Sequence, residues 1–219
     1  HFKAAMQDKF QGHLELAINQ ATNCLILEPS QEDASVAYQL RGMARFFLNR
    51  LDEAYTDFLT GLQVSPINLG LLAGKAIVEL FQNPEQAVSS FTEILAMNPN
   101  NEIKYTALID RAASYYKLGE YEKAREDVNA AIEIHPQEPW AHALLGDILV
   151  NLNGDANASY RQAIYLTEQI PPRRRIIWDE LAALSAQRGL KTDYTGKENY
   201  ETRVLAKGLT PKLVNHLID

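Results

Sequence analysis

The sequence predicts an all-α chain built as an array of antiparallel helix pairs, and three observations carry that reading. Apolar residues return every three or four positions in each periodic segment, the spacing of one helix face and not of a strand. Prolines at 29, 66, 99 and 136 recur at intervals of 37, 33 and 37 residues. In register with them, an alanine is followed four residues later by a larger group, as Ala54/Phe58, Ala87/Phe91, Ala124/Val128 and Ala156/Tyr160.

Taken in order, the array starts raggedly. Phe2 to Phe10 reads as a short first helix and Leu14 to Leu27 as its partner, with Ala17 paired only with Ala21. Ser30 can cap the next helix, whose large apolar residues Val36, Leu40, Met43 and Phe47 share one stripe while Ala37, Ala44 and Leu48 form a second. Two stripes need two partners. The small one suits the helix's own mate, from about Asp52 to Leu62, and the large one is left for a neighbouring repeat or a ligand.

A third pair runs from Ile67 to Asn98, where Asn83-Pro84-Glu85-Gln86 sets a capping residue, a proline in the first turn and a glutamine in capping-box position. Gly70 and Gly74 fit a close approach of helices better than a phosphate loop, because Gly70-Leu-Leu-Ala-Gly74-Lys75 is one residue short and follows no strand.

The fourth pair has the clearest pattern. Leu108, Ala112, Tyr115 and Tyr116 face one way, Gly119 stands where a left-handed residue ends the helix, and Ala124, Val128, Ala131 and Ile132 mark the returning helix up to Pro136. In the fifth, Trp140 and Leu145-Gly146 precede the tight turn Asn153-Gly154-Asp155. A sixth first helix carries Trp178, Leu181, Ala182 and Ser185 with Gly189 as its stop. Beyond it, Glu198 to Leu209 and a short segment from Thr210-Pro211 read as a solvating cap.

The stretch from Tyr105 to Pro136, repeated with variations along the chain, resembles the tetratricopeptide repeat (TPR), a unit of about 34 residues with an aromatic, Leu-Gly, an aromatic, then Ala, Phe, Ala and a closing Pro. The resemblance implies a right-handed superhelical array, a TPR solenoid of about five to six repeats. It is expected to be one elongated domain over residues 1–219, with repeats near 1–29, 30–66, 67–99, 100–136 and 137–170 and a degenerate sixth repeat and cap at 171–219.

Composition narrows the function classes. An apolar fraction of 46% and a charged fraction of 22% are ordinary for a globular chain, and no apolar run is long enough to span a bilayer. A net charge of −7 and a pI of about 5.3 oppose binding to a phosphate backbone. Cys24 stands alone, so no internal disulfide forms, and its place at a helix crossing makes it a small core residue. The expected location is intracellular, although a chain beginning at His1 leaves room for a removed signal peptide or lipid anchor.

Reactive constellations are not apparent. His13, His135, His142 and His216 are dispersed without metal-ligand spacing, and Asn153, Asp155 and Asn157 lack the glycine and the glutamate that would complete a calcium loop. Asn157-Ala158-Ser159 matches a glycosylation acceptor placed in a helix, and Arg173-Arg174-Arg175 reads as a solvated helix start. No catalytic residue, metal or other cofactor is expected.

In TPR proteins the first helices of successive repeats line a concave face that takes a peptide. The resemblance, read onto this chain's stripes, assigns that face to Val36, Leu40, Met43 and Phe47; to Asn68, Leu72, Lys75 and Glu79; to Thr106, Asp110, Ala113 and Lys117; and to Trp140, Leu144, Asp147 and Asn151. The face grades from apolar to polar, which disfavours an acidic chaperone tail and suits a segment with an apolar anchor. The expected function is therefore a non-enzymatic adaptor or scaffold for a protein or peptide partner. The competing expectations are a homo-oligomer whose apolar end is covered by a second copy or by the chain's own end, and a regulatory module of a larger enzyme.

Overall fold

The computed structural model describes residues 2–171, 174 and 177–190, with side chains from residue 11 onward except at 177, 178 and 180. Ten helices and no strand occur among the described residues, the all-α class expected from the periodicity. The chain divides into two compact units, His1–Ser90 and a second that begins at Phe91.

The first unit contains α1 (Phe2–Ile26), α2 (Gln31–Phe47), α3 (Leu51–Val64), α4 (Leu69–Gln82) and the start of α5 (Pro84–Ala96). Its central hairpin is α2 and α3, joined through Asn49, which takes the left-handed conformation at φ 60°. Ser30 caps α2 by accepting from the Asp33 N–H at 3.1 Å, and Asn83 caps α5 by accepting from the Gln86 N–H at 3.2 Å, as the sequence anticipates.

Phe58 explains the glycines here. Its ring is fully buried, and a methyl group on Gly42 of α2 or Gly74 of α4 would come within 2.7 Å or 2.4 Å of it. Only residues without a side chain let both helices close on one ring, whose burial is worth about 1.5–3 kcal/mol.

One expectation fails in this unit. Phe2 to Phe10 and Leu14 to Leu27 are not two helices; α1 runs unbroken through Gly12. A mid-helix glycine costs only about 1 kcal/mol, and the backbone at Gly12 does not need a positive φ. The first repeat thus contributes one long helix. Arg50, in the α2–α3 turn, pairs with Glu15, so the residues of α1 before Glu15 run past the end of α2.

The second unit holds the rest of α5 and α6 (Asn101–Lys117), α7 (Tyr121–Ile134), α8 (Pro139–Asn151), α9 (Asn157–Gln169) and α10 (Ile177–Leu190). Gly119 takes φ +75° between α6 and α7, the left-handed stop that its position predicts. Leu108, Ala112, Ala124, Val128, Ala131, Leu144 and Ile148 form a core across α6, α7 and α8.

Tyr160 of α9 repeats the arrangement at Phe58, since methyl groups on Gly146 of α8 and Gly189 of α10 would meet its ring at 2.3 Å and 2.2 Å. Gly189 is the last residue but one of α10, one position from the end that the sequence expects it to mark. There the packing on Tyr160 also requires a residue without a side chain. The segments read as a terminal cap, along with Arg173 and Arg175, lie outside the described residues; Arg174 is exposed. No described helix is long and apolar enough to cross a membrane.

Candidate functional site

Helix α2 has neighbours on three of its sides. Ala37 and Ala44, both 4% exposed, lie on its buried small-residue stripe, and Arg41 donates to Thr22 Oγ1 of α1 at 3.1 Å. Toward α3, Gly42 meets Phe58, and Asp57 takes Arg41 Nη2 and Arg45 Nη1 at 2.7 Å each. Toward α4, Asn68 Nδ2 donates to Ser35 Oγ at 2.9 Å, the Gln39 side chain crowds Gly70, and the rings of Phe46 and Phe81 meet edge to face at 5.5 Å.

None of these contacts uses the fourth side. At about 100° per residue, Val36, Leu40, Met43 and Phe47 fall within an arc of roughly 60°. Val36 is 47% and Leu40 57% exposed, while Met43 and Phe47 are half-buried, with Phe47 edge-on to Phe46 at 5.6 Å. The large apolar stripe of α2 is therefore the open one. Arg41 and Arg45 lie beyond the small-residue stripe and reach Asp57 of α3.

The other candidates are more varied. Lys75 lies against buried groups: its Nζ meets Glu79 Oε1 at 2.9 Å and donates to Ser90 Oγ at 2.9 Å, and Glu79, 2% exposed, also accepts from Ser90 at 2.6 Å and Tyr55 at 3.1 Å. That set braces α3, α4 and α5. Leu72 is half-buried on α4.

In the second unit, Asp147 accepts from the Tyr160 hydroxyl at 2.7 Å and from Ser185 Oγ at 3.1 Å, and so ties α8 to α9 and α10. Burial pushes its carboxyl upward, and those two donors act in the opposite direction. Trp140 packs against the cores on both sides of α8. Asp110 and Lys117 lie on α6, Lys117 exposed and Asp110 half-buried, with burial pushing the Asp110 carboxyl up to about 7.

Sequence reasoning missed two features. One is a clasp repeated at an offset of 70 residues: Arg111 bonds Asp127 through Nε and Nη2 at 2.7 Å each and Thr92 at 3.0 Å, as Arg41 bonds Asp57 and Thr22. The identities were readable, since Thr, Arg and Asp recur at that offset, but an arginine in a buried stripe reads as a break in the pattern. The other is an exposed apolar set at the connections, Ile26 at 71%, Leu27 at 79% and Ile67 at 80%, for which the sequence gives no signal beyond a helix end.

Across that offset the scaffold repeats and the first-helix face does not. Val36, Leu40, Met43 and Phe47 become Thr106, Asp110, Ala113 and Lys117.

Comparison with known proteins agrees with this geometry. A family model described as TPR repeat matches residues 112–153. The fold is similar to TTC0263, a thermophilic TPR protein of Thermus thermophilus, at 16% identity over 84% of this chain and 96% of that one, with a TM-score of 0.61. It is similar to PlcR of Bacillus thuringiensis, solved with the peptide PapR7 and DNA, at 17% identity over 76% of this chain and 70% of that one, TM-score 0.63. It is also similar to a chain of the APC/C hetero-tetramer Cut9-Hcn1, at 16% identity over 99% of this chain and 40% of that one, TM-score 0.64. The chain has the TPR fold, with a match to the TPR repeat at residues 112–153.

Proposed function

We propose that this TPR protein is a non-catalytic scaffold that holds a peptide or helix of another protein against the open face of α2. The observation that carries the reading is the exposure of Val36 and Leu40 on the side of α2 away from its described contacts with α1, α3 and α4. Apolar surface left in a stripe, and not scattered singly, marks a site of interaction, and a half-buried methionine beside it adapts to differently shaped partners.

Two likenesses in fold support this class of function, because PlcR was solved with a peptide and Cut9 with Hcn1. The polar character of the corresponding positions on α6 supports a partner anchored chiefly through its apolar side chains at the first unit. The experiment is an affinity capture with the full chain as bait, followed by identification of the captured peptides, with a Val36→Gln/Leu40→Gln bait in parallel. A partner retained by the parent and lost by the double variant supports the reading. A partner retained equally by both removes this face from it.

A further inference from the structure

The open face of α2 has an electrical end as well as an apolar stripe. Glu32 and Asp33 lie one turn before Val36, about 40° to one side of it and 60° to the other, and both are exposed. Glu28, also exposed, takes φ 51° in the α1–α2 connection beside Ile26 and Leu27. Three carboxylates and two large apolar side chains thus gather where the stripe begins.

The described basic side chains of the first unit that could neutralise them are already engaged. Among the described side chains of the first unit, Arg41 and Arg45 pair with Asp57, Arg50 with Glu15 and Lys75 with Glu79. Asp33 receives a hydrogen bond from Ser30 Oγ at 2.7 Å, which leaves its charge in place. The far end, past Phe47, also carries Asp52 and Glu53, but Arg45 and Arg50 lie there too, Arg45 against Glu53 at 3.4 Å, so among the described side chains the negative charge without a cation beside it is concentrated at the α1–α2 end.

We infer that the occupant of this face is an amphipathic helix of another protein that lays apolar side chains on Val36, Leu40 and Met43 and carries lysine or arginine at the end over the α1–α2 connection. This rests on the proposal that α2 holds a partner and adds its chemistry and direction. Val36 and Phe47 are 11 positions apart, about 16 Å of helix or three turns, and Glu32 adds one more turn. A partner segment of about four turns reaches both, reading α2 through apolar anchors at helical spacing and setting its direction by charge.

The test uses four labelled synthetic helices with the same leucine stripe, bearing two lysines or two glutamates at the N-terminal or the C-terminal end, titrated against the full chain by fluorescence anisotropy. In one of the two orientations the lysine helix is expected to bind at least about fivefold more tightly than its glutamate counterpart, as a few exposed charge pairs allow. The preference shrinks as salt is raised and disappears in Glu32→Gln/Asp33→Asn, while Leu40→Gln weakens every helix.

Equal binding of lysine and glutamate helices, still sensitive to Leu40→Gln, overturns the charge inference and leaves the partner reading standing. Insensitivity to Leu40→Gln overturns both. Light scattering that gives a multiple of 24.6 kDa, reduced to one copy by Leu40→Gln, assigns the face to a second copy and overturns the inference. Helices that bind only after Val204, Leu205 and Leu209 are changed to Gln assign it to the chain's own end, with the same result.

Discussion

Arg111 grips Asp127 with two parallel bonds, Nε and Nη2 each at 2.7 Å, and the pair joins α6 to α7 with side chains only 19% and 10% exposed. The same guanidinium reaches Thr92 of α5, so one side chain fastens three helices. The aspartate holds the arginine's charged form and its position together.

Removing one partner of this pair is expected to cost more than removing both. Asp127→Ala leaves a poorly solvated guanidinium, and breaking a buried pair in that way commonly costs about 3–5 kcal/mol. Arg111→Leu with Asp127→Ala should recover part of the loss. Urea denaturation of the two variants checks this, and a double variant that is as unstable as the sum of its parts would show that the clasp acts only through packing.

Gly146 is held glycine by the Tyr160 ring. A methyl group there would lie 2.3 Å from the ring, so Gly146→Ala should destabilise the second unit by about 1–3 kcal/mol, the usual range for overpacking. Tyr160→Leu in the same chain should relieve the overlap, although it also removes the hydroxyl that donates to Asp147. Thermal melts of the single and double variants provide the check.

Asp110 makes stability depend on pH in a defined direction. Its folded carboxyl is raised to about 7 by burial, so the fold favours the protonated form. That contribution is fully present below the ordinary carboxylate value and is lost as pH rises through about 7. Asp110→Asn should therefore melt close to the parent near pH 4 and several degrees above it near pH 8. A constant difference between the two proteins over that range would contradict the assignment.

The fold was legible because small residues at crossings leave a periodic trace. Ala54, Ala87 and Ala124 are fully buried, and Phe58, Phe91, Val128 and Tyr160 are at most 2% exposed, as their recurrence predicts. The open stripe on α2 was legible for a related reason, since four large apolar residues on one arc exceed what the neighbouring helices can cover. The failures also have physical causes. Gly12 is a tolerated position inside the long α1, where two helices were expected, and Gly189, near the end of α10, is also a contact point for Tyr160. Apart from these, Lys75 and Asp147 fall on a plausible face by counting, and the positions of Ser90, Tyr160 and Ser185 add that both also brace the fold. Helical periodicity gives the angle between residues on one helix and does not reveal which hydroxyls a neighbour presents.

Met43 and Phe47 have mixed roles, since both are half-buried and Phe47 touches Phe46. Their joint replacement by Gln should lower both melting temperature and affinity. Val36 and Leu40, 47% and 57% exposed, are the cleaner pair. The most direct measurement is the dissociation constant of the captured partner segment for the parent and for Val36→Gln/Leu40→Gln, with melting curves on the same samples. Covering two such side chains on binding is worth about 2 kcal/mol, so the account predicts affinity at least about thirtyfold weaker with a melting temperature close to the parent's. Equal affinity in a double variant that melts normally would contradict it.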